Sequence, residues 1–364
     1  MGSPKLYILT INPGSTSTKV AVFLNEKKIL SSTISHTVRE IARYPRIIDQ
    51  RDFRTKIVLD FMKKNEMDMA NLNAVAGRGG LLPPLKSGTY IVNREMVDYL
   101  SVTTAEHASN LGAIIAFSIS EPLNIPAYIV DPVVVDEMDD TARITGIPEI
   151  KRVSIFHALN QKATAREAAD SLGKKYEECN LIVAHLGGGI SIGAHKQGAV
   201  VDVNNALDGE GPFSPERAGT IPTWSLVELA TSGKYSLAEL KQKITGKGGL
   251  VGHLGTNNLK EVARRIADGD KRAELIFTAM AYTAAKAIAA LSAVFSGRID
   301  AVVLTGGMAY HEELVDLVRQ RIEFLAPILV FPGEDEMSAL SKAVLHVLNG
   351  ESQAKIWRFS GGKS

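Results

Sequence analysis

The sequence predicts an α/β protein made of two similar domains, and three stretches carry this prediction. Residues 6–23 read as a strand, a polar turn and a second strand. Residues 181–203 repeat this pattern around a glycine-rich turn, and residues 301–307 give another strand followed by glycines. Two similar units about half a chain apart indicate a duplicated domain, so we expect the two turns to face each other across a central cleft that holds a nucleotide.

Composition narrows the class of protein. The chain has 364 residues, 45% of them hydrophobic, which is enough for two domains with their own cores. Its 41 lysines and arginines nearly balance 40 aspartates and glutamates, and the resulting net charge of +1 argues against a nucleic-acid partner. The single cysteine, Cys179, excludes an internal disulfide and a cysteine metal cluster. Because no targeting signal is recognised either, we expect a cytoplasmic protein without a membrane partner.

The first turn, NPGSTSTK, has the composition of an anion site. Its glycine and small hydroxyl residues let backbone N–H groups converge on a phosphate, and Lys19 adds a positive charge. Asn12, Ser15 and Ser17 are the other candidate phosphate ligands. The spacing matches neither common nucleotide-binding fingerprint, so an ordinary hairpin turn is the alternative.

The next elements place an arginine at the end of a strand. Residues 47–62 have the apolar spacing of a helix, and residues 72–76 form a strand followed by Gly-Arg-Gly-Gly. This pattern predicts that Arg78 lies in a mobile, glycine-rich segment. There it is either a ligand group or an ordinary solvated charge.

Two more polar candidates follow. Thr103 and Glu106 have capping-box spacing for a helix over 107–119, which would put His107 in a first turn that attracts anions. The next strand ends at Asp131, at the edge where α/β proteins place ligand groups. A turn or a helix cap is the alternative role for this aspartate.

In the second half of the chain, His157 begins a predicted helix over 156–172. Gln161 lies on the same face, because four positions make about one helical turn. A histidine at this position is more often structural than catalytic. Further on, residues 204–222 form a long irregular stretch with Arg217 isolated in its middle, which is typical of functional loops.

Three glycine-containing segments are candidate nucleotide contacts. They are the turn of Gly187, Gly188 and Gly189, the segment of Gly255, Thr256 and Asn257, and the pair Gly306 and Gly307. The segment from Gly255 precedes a predicted helix over 259–266 and could cap it. The pair Gly306 and Gly307 joins a strand to a helix that starts near Ala309. Backbone N–H groups at helix starts bind phosphate.

Residues 273–295 form the most apolar predicted helix. Alanines dominate this segment and Lys286 interrupts it, so we expect a core helix buried on most sides rather than a membrane span.

The last strand, residues 328–331, leads to an acidic segment and a closing helix over 338–348. The acidic residues are Glu334, Asp335 and Glu336. Carboxylates beside phosphate-binding turns can hold Mg²⁺, although acidic residues are also common in the first turn of a helix.

Several of these motifs occur together in one known family. They are INPGSTSTK from residue 11, FHALNQK from 156, HLGGGISI from 185, ERAGTIP from 216, VLTGGMA from 303 and FPGEDEMSAL from 331. Together and in this order they resemble the butyrate kinases of the acetate and butyrate kinase (acetokinase) family, over essentially the whole chain. The resemblance implies the duplicated actin-like, ribonuclease-H-like fold of the acetate and sugar kinase, heat-shock chaperone and actin superfamily.

The resemblance also implies an activity. The protein would use ATP and Mg²⁺ to phosphorylate a short-chain carboxylate, with butyrate favoured, as a homodimer or larger homo-oligomer. We expect residues 1–153 and 339–364 to form a domain for the acyl substrate and the phosphate turn, and residues 154–338 to form the nucleotide domain.

Individual roles follow from the same resemblance. Arg78 is similar to the arginine near the substrate carboxylate, with His107 beside it, and His157 is similar to the transition-state histidine. Arg217 resembles the second catalytic arginine, here in ERAG where acetate kinases have TRSG.

The remaining roles concern the metal and the nucleotide. Asp131 resembles a metal-associated aspartate, and the magnesium glutamate aligns with Asp335 or Glu336, of which Glu336 is preferred. His185 and the three glycine segments resemble the nucleotide side, and the first turn resembles the phosphate side.

The chemistry of these residue types agrees with a carboxylate acceptor. A carboxylate with a pKa of about 4 to 5 is already ionised, so it needs charge compensation rather than a general base. Acetate, propionate and branched acids stay open as acceptors, because one methylene is worth only about 1 to 3 kcal/mol. A sugar kinase would instead need a base, for which Asp131 and Asp208 are candidates. An actin-like or chaperone-like switch would leave the two arginines without a role.

Overall fold

The computed structural model describes residues 4–359 of the chain. By their contacts with one another, these residues form two compact units. One unit contains the described residues up to Val135 and those from Asp335 onwards, and the other is Asp136–Glu334. The assignment of one domain to the acyl substrate and the other to the nucleotide stays a prediction.

The first unit is a seven-stranded sheet with helices packed against it. Its strands are β1 Tyr7–Pro13, β2 Ser17–Leu24, β3 Lys27–Ser35, β4 Leu72–Arg78, β5 Thr89–Ile91, β6 Ala127–Val130 and β12 Lys355–Ile356. Its helices are α1 Val38–Ile41, α2 Arg51–Lys64, α3 Arg94–Val102, α4 Asn110–Ser120 and α13 Glu336–Leu348. The described strands lie in the order β12-β5-β6-β4-β1-β2-β3. Helices α4 and α13 both pack on β1 and β4, at the middle of this sheet.

The second unit is a five-stranded sheet with a larger set of helices. Its strands are β7 Asn180–Leu186, β8 Ile190–Lys196, β9 Ala199–Val203, β10 Ala301–Gly306 and β11 Ile328–Pro332. Its helices are α5 Asp140–Arg143, α6 Ala158–Ser171, α7 Thr223–Thr231, α8 Leu237–Thr245, α9 Gly249–Leu254, α10 Leu259–Ala267, α11 Lys271–Ala290 and α12 Glu312–Ile322. The described strands lie in the order β11-β10-β7-β8-β9.

The strands of the two units follow the same plan. In the first, β1 pairs antiparallel with β2 and parallel with β4, and β4 pairs parallel with β6. In the second, β7 pairs antiparallel with β8 and parallel with β10, and β10 pairs parallel with β11. In addition, β3 pairs antiparallel with β2, and β9 pairs antiparallel with β8, so five strands of each unit match in order and direction. The duplication predicted from the sequence is confirmed.

The continuous apolar runs of the central strands have a structural reason in the second unit. Ile182 and Ala184 of β7 face a core formed with α10, α11 and α12, whereas Leu181 and Val183 face a core formed with α6. Both faces of the sheet are covered, so both sets of alternating side chains are apolar.

Helix α11 differs from its prediction. It is followed by a 3₁₀ turn, Leu291–Phe295, and it buries one face rather than most sides. Phe277 and Met280 lie in the core, whereas Leu275 is 66% and Tyr282 is 48% exposed. Within the described part of the chain, this is the one helical segment that is long and apolar enough to cross a membrane by length and composition. Its buried face instead packs in the core of the second unit.

The segment before α4 also differs from its prediction. Thr103 ends α3 instead of capping α4, and the carboxylate of Glu106 accepts a hydrogen bond from Arg46 at 2.8 Å. Helix α4 begins at Asn110, so His107 precedes the helix instead of lying in its first turn. The predicted capping box is therefore wrong, because Glu106 pairs with Arg46, a residue distant in sequence.

Backbone contact between β4 and α4 fixes the end of β4. A Cβ atom on Gly112 would lie 2.2 Å from the carbonyl oxygen of Arg78, and one on Gly77 would lie 2.1 Å from the carbonyl oxygen of Gly112. Cβ atoms on Gly79 and Gly80 would come within 2.5 Å of their neighbours. These glycines allow close packing, so the mobile segment expected around Arg78 is wrong.

We predict that Gly112→Ala destabilises the protein by about 1 to 3 kcal/mol, because the added methyl group has no room against the backbone of β4. Thermal unfolding would show a lower Tm. Gly146→Ala is the control, since a Cβ there meets nothing within 4 Å and Gly146 has no left-handed backbone. Equal Tm values for the two variants would contradict the close-packing role.

Candidate active site

The first polar turn is held by a buried arginine. Arg54 of α2 is 1% exposed. Its guanidinium donates hydrogen bonds to three carbonyl oxygens, those of Gly14 (2.8 Å), Ser15 (3.3 Å) and Ser17 (2.8 Å). The carbonyl oxygen of Thr16 accepts from the backbone N–H of His36. All four carbonyl groups of the turn are therefore engaged with the protein, while the side chains of Ser15 and Lys19 are exposed.

The burial of this positive charge is offset by hydrogen bonds. Arg54 also donates to Gln50 Oε1 at 3.0 Å and to Thr18 Oγ1 at 3.2 Å. Burial lowers the pKa of Arg54 to about 10, which still leaves it charged at neutral pH. Without such partners a buried charge would be strongly unfavourable. The arginine thus orders the turn and adds positive charge next to a predicted phosphate site.

Three predicted site residues meet at the ends of β1 and β4. Glu336, the first residue of α13, is 7% exposed. Its carboxylate lies 3.1 and 3.4 Å from the two terminal nitrogens of Arg78, and it accepts a hydrogen bond from Asn12 Nδ2. The arginine neutralises the buried glutamate, so the two side chains are fixed together.

This cluster fits a magnesium ion. The Oδ1 atom of Asn12 is buried, and none of the described residues gives it a hydrogen-bond partner. A carboxylate and an amide oxygen are hard ligands of the kind that Mg²⁺ prefers, with water and phosphate oxygens completing its shell.

Asp131 lies at the neighbouring strand end. Val130 pairs with Arg78 across β6 and β4, and Asp131 follows directly. It is 2% exposed, its φ of +35° is left-handed, and its carboxylate accepts the N–H of Gly88 at 2.7 Å. A left-handed backbone costs free energy in a residue with a side chain and is enriched at functional sites.

The three consecutive carboxylates do not form one site. Asp335 caps α13 by accepting hydrogen bonds from Ser338 and pairs with Lys28 at 3.0 Å. Burial raises the pKa of Asp335, but the hydrogen bonds from Ser338 and Lys28 outweigh this effect and hold the pKa below its ordinary value. Glu334 belongs to the other unit. Among residues 4–359, no group of three or more His, Cys, Asp and Glu is arranged to hold a metal.

His107 makes a local contact with Ser109. Its Nδ1 lies 2.6 Å from Ser109 Oγ, just before α4. Its proposed position beside the substrate arginine stays a prediction.

In the second unit, the glycine turn lies against Arg217. A Cβ atom on Gly189 would lie 1.9 Å from Nη1 of Arg217, so a glycine is needed for the guanidinium to lie there. Arg217 is partly buried and donates a hydrogen bond to the carbonyl oxygen of Ala206. Burial lowers the pKa of Arg217, and the nearby carboxylates of Glu216 and Asp208 oppose this shift.

The two predicted histidines of this unit are stacked. His157 is the N-cap residue of α6, and its ring lies 3.8 Å from that of His185 in β7, with 9° between the planes. His185 Nδ1 lies 2.7 Å from Asn160 Oδ1. His185 Nε2 is 3.0 Å from Glu334 Oε1 but lies outside hydrogen-bond geometry.

The glycine segments of this unit line a cavity of about 340 Å³. Its lining includes Gly187, Gly188, Asn257 and Gly307, together with Glu216, Lys260 and Glu334. Cavities of this size are typical of small-molecule sites. The structure therefore brings together the three segments that the sequence predicted for a nucleotide.

Local geometry explains the residue types in these segments. Gly255 ends α9 with a left-handed φ of +78°, and Thr256 Oγ1 donates to Glu261 at 2.8 Å. Asn258, the residue directly after this segment, caps α10. Gly306 has a φ of +90°, and a Cβ there would lie 2.3 Å from the carbonyl oxygen of Leu186.

The sequence reasoning missed several residues that hold these sites. Arg54 supports the first turn, Ser191 contacts His157, and the hydroxyl of Ser214 donates to the Gly188 carbonyl oxygen at 2.6 Å. The available signal for Arg54 was its position on the apolar face of α2, four residues before Val58. The two serines lie among many similar residues and carry no distinct pattern.

Comparisons with known proteins place this arrangement in a family. Residues 149–342, more than half of the chain, match the model of the acetokinase family. Butyrate kinase 2 of Clostridium acetobutylicum is 52% identical over 355 residues, which are 97% of this chain and 100% of that protein.

Solved structures agree at the level of the fold. Porphyromonas gingivalis acetate kinase has a TM-score of 0.78 at 19% identity, covering 94% of this chain and 100% of that chain. A propionate kinase from Francisella tularensis subsp. tularensis SCHU S4 has a TM-score of 0.74 at 19% identity, with coverage of 93% and 98%. These likenesses confirm that the chain has the fold of acetate and propionate kinases. On the family match and the full-length relative, the chain belongs to the acetokinase family.

Proposed function

We propose that this chain transfers the γ-phosphoryl group of ATP to butyrate, forming butanoyl phosphate and ADP in a reversible reaction. The observation that carries the proposal is the 52% identity with Clostridium acetobutylicum butyrate kinase 2, over 97% of this chain. Because this identity extends over nearly the whole chain, the matching region includes the candidate-site segments of both units.

The main chemical difficulty is to bring one anion to another. The substrate carboxylate is already a nucleophile at neutral pH, so the residues must offset charge rather than remove a proton. Arg78 is assigned to the acceptor carboxylate, and Arg217 to the transferring phosphoryl group. A guanidinium suits both tasks because its planar fork binds a carboxylate or phosphate through two contacts.

His157 is assigned to the transition state. It would donate a hydrogen bond to the oxygens of the transferring phosphoryl group, where negative charge is distributed during the reaction. His107 is assigned to the acyl substrate beside Arg78.

Magnesium is part of the same proposal. Glu336 and Asn12 would hold the ion, with Asp131 nearby at the adjacent strand end and Asp335 the weaker candidate. When bound, Mg²⁺ would offset charge on the nucleotide phosphates.

The nucleotide is assigned to the second unit. Its cavity of about 340 Å³ supports a site for ATP or ADP, with Gly187 to Gly189, Gly255 to Asn257, Gly306 and Gly307 near the ligand and His185 beside them. The phosphates are assigned to the first turn, through Ser15, Ser17 and Lys19. The family resemblance and the single cysteine further support a cytoplasmic enzyme that acts as a homodimer or larger homo-oligomer.

We predict that Arg78→Ala and Arg217→Ala each lower kcat by about 10²-fold or more, because each removes a charge that stabilises the transition state. Steady-state kinetics with ATP, Mg²⁺ and butyrate would measure the loss. Arg319→Ala is the control, since this partly exposed arginine of α12 pairs with its helix neighbour Asp316.

Stability must be measured alongside, because Arg78→Ala leaves the buried carboxylate of Glu336 without its cation. A folded Arg78→Ala or Arg217→Ala variant with the kcat of Arg319→Ala would remove that arginine from the mechanism.

We predict that butyrate is preferred over acetate by roughly 10-fold or more in kcat/KM, since two further buried methylenes contribute about 0.8 kcal/mol each. Trapping the acyl phosphate with hydroxylamine would compare acetate, propionate, butyrate and branched acids. Glucose would be tested by release of ADP, because a sugar phosphate is not an acyl phosphate and forms no hydroxamate. Equal values for acetate and butyrate would make the enzyme an acetate kinase in function, and phosphorylated glucose would support a sugar kinase.

We predict direct in-line transfer, with inversion at a chiral γ-phosphorus of ATP. An enzyme carboxylate has the same intrinsic reactivity as the substrate carboxylate, so a phosphoenzyme would give no chemical advantage. Analysis of the phosphorus configuration in butanoyl phosphate decides this point. Retention would instead require a double displacement through Asp131, Asp335, Glu336 or His157.

A further inference from the structure

His157 stands at the end of a chain of buried hydrogen bonds. Its Nδ1 lies 2.8 Å from Ser191 Oγ, and Gln161 Nε2 lies 2.7 Å from the same oxygen. Gln161 Oε1 lies 3.0 Å from His195 Nε2, and the Tyr176 hydroxyl lies 2.8 Å from His195 Nδ1. Ser191, Gln161 and His195 are all 0% exposed. Buried polar groups need partners, so the direction of each hydrogen bond can be worked out from its neighbours.

One backbone carbonyl fixes the direction of the chain. The carbonyl oxygen of Ser191 can only accept, and it lies 2.9 Å from the Gln161 side chain, so the amide nitrogen faces it. The amide oxygen of Gln161 then faces His195 Nε2, which must carry a hydrogen. His195 is neutral, because burial, followed by the charge of Lys162, holds its pKa well below the usual range. Its Nδ1 therefore accepts from Tyr176.

The same reasoning fixes the hydroxyl of Ser191. Its Oγ accepts from Gln161 Nε2 and faces the backbone N–H of His157 at 3.4 Å. The hydroxyl hydrogen then has one acceptor among the partners of this oxygen, which is Nδ1 of His157. A neutral histidine that accepts at Nδ1 carries its proton at Nε2.

We propose that Ser191, Gln161 and His195 are positioning residues that hold His157 as the neutral tautomer protonated at Nε2. The catalytic consequence rests on the proposed function, in which Nε2–H would be the donor to the phosphoryl oxygens. The other tautomer would present a lone pair at Nε2 and would repel an anion.

The surroundings of His157 are consistent with this assignment. His185 stacks on its face, and Glu334 Oε1 lies 3.0 Å from Nε2 of His185. Lys162 is paired with Glu137 at 2.9 Å. The serine hydroxyl, 2.8 Å from Nδ1 of His157, is the contact on which the assignment is based.

The tautomer can be measured without any turnover. In protein labelled with ¹⁵N-histidine, long-range ¹H–¹⁵N spectra distinguish protonated from unprotonated ring nitrogens, and His157→Gln identifies the signals of His157 among the eight histidines. We expect the wild-type protein to show an unprotonated Nδ1 and a protonated Nε2. Ser191→Ala should shift His157 toward the Nδ1-protonated form.

Kinetics provide the second readout. Ser191→Ala should lower kcat by about three- to ten-fold, the factor expected for one neutral hydrogen bond, with little change in KM for ATP or butyrate. Ser191→Thr retains the hydroxyl and should recover the wild-type tautomer and most of kcat, although its extra methyl group packs worse. Ser120→Ala is the control, because this buried serine donates to the Phe117 carbonyl oxygen in α4, away from the candidate site.

The outcomes separate the parts of the inference. A wild-type His157 protonated at Nδ1, or a tautomer unchanged in Ser191→Ala, would overturn the positioning role. A shifted tautomer with an unchanged kcat would overturn its catalytic importance. If no short-chain acid is phosphorylated, the proposed function fails, while the NMR result still decides the tautomer.

Discussion

The buried guanidinium of Arg54 is the interaction on which the first turn depends. A hairpin turn lacks the helix N-terminus that usually supplies oriented N–H groups to a phosphate. Here Arg54 engages the carbonyl oxygens of Gly14, Ser15 and Ser17 on the protein side. The carbonyl groups are thus held by the protein while the side chains of Ser15 and Lys19 are exposed, and the arginine contributes a positive charge in place of a helix dipole.

The second unit has the same strand plan but holds its turn differently. The hydroxyl of Ser214 engages the Gly188 carbonyl oxygen, and the guanidinium of Arg217 lies against Gly189, where no Cβ would fit. The guanidinium of Arg217 therefore places a positive charge directly beside this turn. The two units therefore share the plan of their sheets but not the residues that support their turns. This difference agrees with the different ligand contacts predicted for the two turns.

Local patterns predicted the strands and most helices, because apolar periodicity depends on which faces are covered. They failed where a distant residue decides the outcome. Glu106 had the spacing of a capping residue but pairs with Arg46, and the glycines around Arg78 read as a mobile segment although they pack on α4. Candidate ligands such as Arg78 and His157 came from motifs. The side chains that hold them, including Ser191, had no sequence signal because their roles depend on three-dimensional contacts.

The contact between Arg78 and Glu336 explains why arginine suits this position. The carboxylate faces the two terminal nitrogens of the guanidinium, at 3.1 and 3.4 Å. A guanidinium has five N–H donors in a fixed plane, so some remain for a second anion while the pairing with Glu336 is kept. A lysine would offer one compact charge, which the buried glutamate would largely neutralise. On the proposed function, the geometry of arginine is therefore what allows one residue to compensate Glu336 and still bind the acceptor acid.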